Sequence, residues 1–182
     1  MEALTEAPTV LVTSCGHIFH YHCLAKKIET KWWTPRIFFE CALCPLCKTW
    51  MTFEKGNPLD KIMTEVRTLY EDVEKKSMTR LKHEDRDKDK RLSKKGDPFF
   101  GKPLEYAMAI YSYYLCFKCS TPYFGGLKKC EAMRDEANNN KEFDPKELVC
   151  ANCSDVENNI KECEKHGKDF IEFKCKFCCS VA

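Results

Sequence analysis

The chain has 182 residues, of which 14 are cysteines and 32% are charged, and its mean hydropathy is −0.50. So few aliphatic residues cannot build one large hydrophobic core, and small domains of this kind usually need disulfides or metal ions for stability. The 30 Lys and Arg residues nearly balance the 28 Asp and Glu residues, whereas nucleic-acid-binding proteins usually carry a clear positive excess. We therefore expect no nucleic-acid partner.

The sequence contains no apolar stretch long enough to span a membrane, and its first residues lack the pattern of a signal peptide. We therefore expect a cytoplasmic, reducing location with no membrane partner. In a reducing compartment, cysteines at Cys-x2-Cys spacing indicate zinc ligands rather than disulfides. The prediction is a set of small α+β domains stabilised by Zn²⁺, in three segments: 1–52, 53–98 and 99–182.

Six residues of the first segment have the spacing of metal ligands: Cys15, His17, His20, Cys23, Cys44 and Cys47. The pattern resembles the last six of the eight ligands in a RING-H2 finger, a cross-brace zinc fold. This resemblance implies that Cys15, His17, Cys44 and Cys47 hold one zinc ion. It also implies that His20 and Cys23 supply half of a second site. Residues 1–14 contain neither Cys nor His, so we expect that the sequence starts after the first Cys-x2-Cys pair.

Two further residues of this segment have ligand-type side chains. We expect His22 to be a surface residue beside the ligand pair, and Cys41 to be a buried or free thiol. Another zinc fold with the same spacings remains an alternative.

A RING finger acts by docking a conjugating enzyme charged with ubiquitin (E2), and the docking groove usually contains a bulky residue and the proline of the last ligand pair. The candidates are Trp32 or Trp33 and Pro45. The alternative is that the tryptophans fill the core of the domain.

The second segment, 53–98, predicts an amphipathic helix that begins at Asn57-Pro58. Apolar residues recur there at steps of three and four: Leu59, Ile62, Met63, Val66, Leu69, Tyr70 and Val73. The helix should fray in the charged run from Lys82 to Lys95 and end before Gly96.

The third segment contains four pairs with x2 spacing: Cys116–Cys119, Cys150–Cys153, Cys163–His166 and Cys175–Cys178. Four pairs can form two tetrahedral zinc sites. The spacing leaves open which pairs share an ion, and Cys179 is an alternative to Cys178.

Cys130 has no partner at ligand spacing and lies between Gly125-Gly126 and Asn138-Asn139-Asn140, which predicts a loop. The neighbouring Lys128 and Lys129 favour a thiolate, which is the nucleophilic form. A reactive cysteine and an incidental free thiol both remain possible on these residues alone.

The order of motifs resembles the RING and tandem-cysteine region of the giant Pam/Highwire-type (PHR) ubiquitin ligases. The resemblance extends over nearly the whole chain through Cys15-Gly-His17-Ile-Phe-His20, Arg36-Ile-Phe-Phe, Cys44-Pro-Leu-Cys47-Lys48, Leu69-Tyr-Glu-Asp-Val73, Tyr123-Phe-Gly-Gly126, Asp144-Pro-Lys-Glu-Leu148, Cys153-Ser-Asp-Val156 and Cys175-Lys-Phe-Cys-Cys-Ser-Val-Ala182.

This resemblance implies a cysteine relay, in which ubiquitin passes from the E2 to an upstream cysteine, then to a downstream cysteine, and then to a Thr or Ser hydroxyl. The upstream cysteine follows the Tyr-Phe-Gly-Gly motif, so it corresponds to Cys130. We expect the downstream cysteine and the catalytic histidine beyond Ala182. The partners implied are an E2, ubiquitin and a protein substrate. The alternatives are a conventional RING ligase that scaffolds transfer to lysine, and a non-catalytic zinc-binding interaction module.

Overall fold

The computed structural model describes residues 8–32, 36–128, 144, 146 and 148–153. The chain divides into two compact units, of which the first comprises Met1–Trp33 with Phe38–Asp72 and the second Thr34–Ile37 with Val73–Ala182. Among the helices of these described stretches, none combines the length and the apolar character that a membrane span requires. Both units mix helices with short antiparallel strands, so the predicted α+β class is confirmed at this level.

The first unit begins with a short hairpin that leads directly into a helix. Strand β1 (Thr9–Leu11) pairs antiparallel with β2 (Ile18–His20), and helix α1 (Tyr21–Thr30) follows without a linker. A 3-10 turn at Glu40–Ala42 precedes the second ligand pair. The core under these elements is small, and its fully buried side chains include Val12, Leu24, Ile28, Met51 and Leu59.

Helix α2 (Pro58–His83) begins where the sequence predicted it. Asn57 caps its first turn, since the Asn57 Oδ1 accepts a hydrogen bond of 2.9 Å from the Leu59 amide. Four residues of the predicted apolar stripe are buried: Leu59, Met63, Val66 and Val73. The helix ends within the predicted charged run, where Asp85 adopts a left-handed conformation with φ of 52°. A short helix α3 (Lys90–Ser93) follows.

The second unit is built around a two-stranded hairpin. Helix α4 (Pro103–Ile110) runs directly into strand β3 (Tyr111–Leu115), which pairs antiparallel with β4 (Pro122–Leu127). Arg80 from the end of α2 is buried against this hairpin, with its guanidinium carbon 3.4 Å from the centre of the Phe124 ring. A salt bridge of 2.7 Å to Glu84 compensates the buried charge.

Candidate metal centres

The first cluster of ligand-type residues lies in the first unit and contains Cys15, His17, Cys44 and Cys47, whose ligand atoms lie within 4.8 Å of one another. Two parts of the chain nearly 30 residues apart supply it. The turn after β1 contributes Cys15 and His17, and the turn after the 3-10 helix contributes Cys44 and Cys47. These four residues are the set that the sequence assigned to one ion.

The turn that contains Cys44 and Cys47 is held by two backbone hydrogen bonds. The Cys44 amide donates to the Thr49 carbonyl (2.8 Å), and the Lys48 amide donates to the Cys44 carbonyl (3.0 Å). Lys48 adopts a left-handed conformation with φ of 60°, which closes the turn. Both Sγ atoms consequently lie on the same side of the turn, towards His17.

Lys27 of helix α1 fixes the segment that leads into this turn. Its ammonium group donates hydrogen bonds to the carbonyls of Glu40, Cys41 and Leu43, the last two at 3.0 Å. Burial lowers the pKa of Lys27. The sequence analysis missed this role, because nothing in the spacing of Lys27 distinguishes it from other helical lysines.

The second cluster lies in the second unit and contains Cys116, Cys119, Cys150 and Cys153, again with all ligand atoms within 4.8 Å of one another. The spacing had left open which pairs share an ion, and the structure places these two pairs together. The Phe117 amide donates to the Leu148 carbonyl (2.7 Å), and the Lys118 ammonium donates to the Cys153 carbonyl (3.0 Å). These bonds attach the second pair to the first.

The turn at Cys116 repeats the backbone geometry of the turn at Cys44. The Cys116 amide donates to the Thr121 carbonyl (3.0 Å), and the Ser120 amide donates to the Cys116 carbonyl (2.8 Å). Ser120 has a φ of 55°. Both turns therefore share the pattern Cys-x2-Cys-x-Thr with a left-handed residue directly after the second cysteine.

A threonine hydroxyl lies beside the second cysteine in each of the two turns. The Thr49 Oγ1 lies 3.3 Å from the Cys47 Sγ, and the Thr121 Oγ1 lies 2.6 Å from the Cys119 Sγ. These hydrogen bonds lower the pKa of Cys47 and the pKa of Cys119 to about 6. A lowered pKa favours the thiolate, which is the form that binds a metal ion.

The separations between ligand atoms fit a tetrahedral metal ion. Bonds of about 2.3 Å to sulfur and 2.0–2.1 Å to nitrogen give tetrahedral edges of about 3.8 Å between two sulfurs and about 3.6 Å between sulfur and nitrogen. The observed separations are 3.3 Å from His17 Nδ1 to Cys15 Sγ, 3.6 Å from His17 Nδ1 to Cys44 Sγ, and 3.7 Å from Cys119 Sγ to Cys150 Sγ. The Cys₃His and Cys₄ donor sets are those of structural zinc sites. Both clusters could therefore hold a metal ion of this type.

A third group of ligand-type residues contains His20, His22 and Cys23, at the junction of β2 and α1. The sequence predicted His20 and Cys23 as ligands and His22 as a surface residue. His22 is exposed, but its Nε2 lies 3.2 Å from the Cys23 Sγ. Its ligand atom belongs to the same group as those of the two predicted ligands.

The predicted E2-docking residues lie at two places in the first unit. Trp32 follows α1 and is partly buried, as is Pro45, while Trp33 lies outside the described residues. Leu46, the next residue of the Cys44–Cys47 turn, is 66% exposed, and Ile18 of β2 is 54% exposed. The sequence analysis missed Leu46, although an apolar residue between two ligands of a tight turn has little room to be buried.

Besides Trp33, five further predicted site residues lie outside the part of the chain that the structure describes: Cys130, Cys163, His166, Cys175 and Cys178. The predicted loop around Cys130 requires a correction at its start. Gly125 and Gly126 belong to strand β4, because the hairpin continues to the pair Tyr111–Leu127. The Lys128 ammonium donates to the Met108 carbonyl (2.8 Å) and is partly buried.

The whole chain is similar to two curated proteins. It is 42% identical over 183 residues to E3 ubiquitin-protein ligase MYCBP2 of Danio rerio. It is also 42% identical over 183 residues to E3 ubiquitin-protein ligase highwire of Drosophila melanogaster. The chain belongs to the Pam/Highwire family. It spans 4% of the length of the first relative and 3% of the length of the second. No protein-family model matches it.

Proposed function

We propose that this Pam/Highwire chain provides the E2-docking and ubiquitin-accepting part of an E3 ubiquitin ligase. The observation that carries the proposal is the cluster of Cys15, His17, Cys44 and Cys47, in a chain that is similar over its whole length to two proteins named as ubiquitin ligases. Interleaved ligand pairs of this kind are those of a RING-H2 cross-brace. The partners are a ubiquitin-charged E2, ubiquitin and a protein substrate.

The metal that fits both four-residue clusters is Zn²⁺. The ion supplies structural cross-links and no redox or nucleophilic chemistry, because all four positions of each site are taken by protein ligands. In the first unit the ligands join the turn after β1 to the turn at Cys44, so metal binding stabilises both turns together. Cys163, His166, Cys175 and Cys178 are the proposed ligands of a further site.

The proposed docking surface for the E2 consists of Trp32, Trp33, Pro45 and Leu46. Its support is the position of Leu46, which is 66% exposed, directly beside Pro45 in the Cys44–Cys47 turn. The adjacent turn is held by a metal cluster and by Lys27, which would keep the surface in one conformation and reduce the entropic cost of binding.

Cys130 is the proposed ubiquitin acceptor. Its thiolate attacks the carbonyl carbon of the thioester between ubiquitin and the E2 cysteine. A new thioester forms at Cys130, and the E2 cysteine leaves as a thiolate, so the exchange needs no further reactant. Further transfer to a hydroxyl group converts the thioester into an ester and releases the thiol. The position of Cys130 after Tyr123-Phe-Gly-Gly126, in a chain 42% identical to two ubiquitin ligases, supports this assignment.

A discharge assay tests this proposal. The zinc-loaded chain is mixed with an E2 that carries labelled ubiquitin, and the products are separated with and without a reducing thiol. We expect a ubiquitin adduct of the chain that thiol removes, and its absence in Cys130→Ala. The matched control is Cys41→Ala, because Cys41 belongs to none of the metal clusters in the described ranges.

Two results would contradict this assignment in different ways. If Cys130→Ala still accelerates transfer from the E2 to free lysine while the parent chain forms no adduct, the chain acts as a conventional RING scaffold. If neither protein changes the rate of E2 discharge and Leu46→Glu leaves E2 binding unchanged, the non-catalytic interaction module is the better description.

A further inference from the structure

Ser93 is an exposed serine near the end of the charged run from Lys82 to Lys95. Lys90 lies one helical turn before it, on the same face of α3, and Lys94 and Lys95 follow it directly. All three lysines are exposed, and no ion pair within the described ranges involves any of them. Ser93 is therefore flanked on both sides by positive charge that is available to a partner.

Helix α3 is a single exposed turn, and none of its side chains is buried. The Ser93 hydroxyl donates one long hydrogen bond of 3.5 Å to the Asp89 carbonyl. Within the turn, the Leu92 amide donates to the Asp89 carbonyl (3.0 Å) and the Lys94 amide donates to the Lys90 carbonyl (2.9 Å). A helix this short is marginal in water, so the segment can open locally at a small cost in free energy. Ser93 can thus be presented to an enzyme without unfolding of a core.

Thr79 has a similar local charge pattern but lies in a different structure. Lys76 precedes it by three residues, and Arg80 follows it. Thr79 is exposed, but its hydroxyl donates to the Lys75 carbonyl at 2.9 Å within the 26-residue helix α2. Opening the helix around Thr79 would expose Arg80 and Leu81, which are both buried. The structure therefore distinguishes two hydroxyl groups that have similar cationic neighbours.

We propose that Ser93 is a phosphorylation site for a protein kinase that recognises cations on both sides of its acceptor serine. The Ser93 Oγ attacks the γ-phosphorus of ATP, the bond from that phosphorus to the β–γ bridging oxygen breaks, and ADP leaves. The hydroxyl proton passes to a carboxylate of the kinase. Kinases select substrates by such charge patterns, and carboxylates that bind lysines supply the recognition. The proposal goes beyond the proposed ligase function and does not depend on ubiquitin transfer.

Phosphorylation of the zinc-loaded full chain tests the proposal. The chain is incubated with ATP and the catalytic domain of either cyclic-AMP-dependent protein kinase or protein kinase C, and the modified residues are quantified by mass spectrometry. We expect at least one of these enzymes to phosphorylate Ser93, with no phosphate at this position in Ser93→Ala. Lys90→Gln should slow the modification by about 10-fold or more, because a charge-assisted hydrogen bond to the enzyme is lost. Lys61→Gln removes an exposed lysine of α2 in the first unit and should match the parent chain.

The Thr79→Ser variant separates the effect of local structure from that of the charge pattern. It gives positions 79 and 93 the same acceptor side chain. We expect modification at position 79 to be at least about 10-fold slower than at Ser93, because α2 must first open. Absence of phosphate at Ser93 with both enzymes would overturn the proposal. Equal rates at the two positions in Thr79→Ser would overturn the inference that the exposed turn selects Ser93.

Discussion

Adding one methyl group at Gly125 should destabilise the hairpin of the second unit. A Cβ atom at this position would lie 1.6 Å from the Tyr114 Cε2 and 1.8 Å from its Cδ2, whereas ordinary contacts are 3.4–4 Å. The close approach arises because the strand register shifts between Ser112 and Tyr113. Phe124 pairs with Tyr113 and Gly126 pairs with Ser112, so Gly125 is the extra residue of a bulge.

The magnitude follows from how far the Tyr114 ring can move. Tyr114 is 8% exposed, and its ring contacts that of Tyr123 with centroids 6.0 Å apart. The ring would have to move by about 2 Å. Overpacking of this kind lowers the free energy of unfolding by about 1–3 kcal/mol or somewhat more. For a unit of this size, we expect Gly125→Ala to lower the Tm by about 4–20 °C.

A double-mutant cycle in the zinc-loaded chain tests whether the Tyr114 ring causes this loss of stability. The free energy of unfolding is measured by urea denaturation with far-UV circular dichroism for Gly125→Ala, Tyr114→Ala and the double variant. We expect the double variant to be more stable than the sum of the single effects by about 1–3 kcal/mol, because the second substitution removes the ring that the methyl group contacts.

Gly126→Ala is the matched control for the cycle. A Cβ at Gly126 would meet nothing within 4 Å, but its φ of 126° strains any other residue. Tyr114→Ala should therefore not reduce the destabilisation that Gly126→Ala causes. Additive effects of Gly125→Ala and Tyr114→Ala would refute the proposed contact.

Three further predictions concern the metal clusters and the buried ring network. Cys44→Ala and Cys116→Ala should each lower the zinc content by one ion per chain, measured by elemental analysis; an unchanged content would contradict the assigned ligand sets. Burial raises the pKa of Tyr113 to about 12 from its ordinary value of 10.0. Its contribution to stability is thus complete below pH 10 and lost as the pH rises towards 12. Burial also raises the pKa of Tyr123 to about 12. An ultraviolet titration should therefore show a late step near pH 12 that Tyr113→Phe reduces by one tyrosine without removing it, and a single step near pH 10 in folded protein would refute it. Arg80→Lys should cost about 1–2 kcal/mol in urea denaturation, because a lysine cannot stack on Phe124 at 3.4 Å; equal stability would show that charge alone matters.

The sequence could predict the ligand clusters only to the extent that spacing restricts them. The first set of four ligands came from the RING-H2 resemblance, and the structure brings those residues together. The two pairs of the second cluster could not be assigned to each other, because sequential and interleaved schemes have the same spacings. What joins them is the contact of Phe117 and Lys118 with residues more than 30 positions later, which no local pattern reveals.

Helix α2 was predictable because 26 residues give a periodic signal many turns long. Strands β1 and β2 have three residues each, too few for an alternation to be recognised. The pair Gly125-Gly126 was misleading, since adjacent glycines usually indicate a loop. Here one glycine forms a bulge beside the Tyr114 ring and the other takes a positive φ, so both serve the strand.

A third turn shows that the two kinds of ligand spacing in this chain share one backbone geometry. The Val12 amide donates to the His17 carbonyl (2.9 Å), and the Gly16 amide donates to the Val12 carbonyl (2.8 Å). In the Cys44 turn too, the amide of the first residue donates to the carbonyl of the sixth, and the amide of the fifth donates to the carbonyl of the first. Gly16, with φ of 74°, takes the left-handed position that Lys48 occupies in the other turn.

The ligands differ because a different pair of positions within the turn is used. In the Cys44 turn the candidate ligands are the first and fourth residues, whereas in the other turn the first residue is Val12, which is fully buried in the core. In the turn that begins at Val12, the candidate ligands are Cys15 at the fourth position and His17 at the sixth. Thr49 occupies the sixth position of the Cys44 turn. A histidine can serve there because its ring reaches farther from the backbone than a cysteine side chain does. The first turn thus supplies both a core side chain and two of the four candidate metal ligands, so packing and metal binding in the first unit are coupled at this turn.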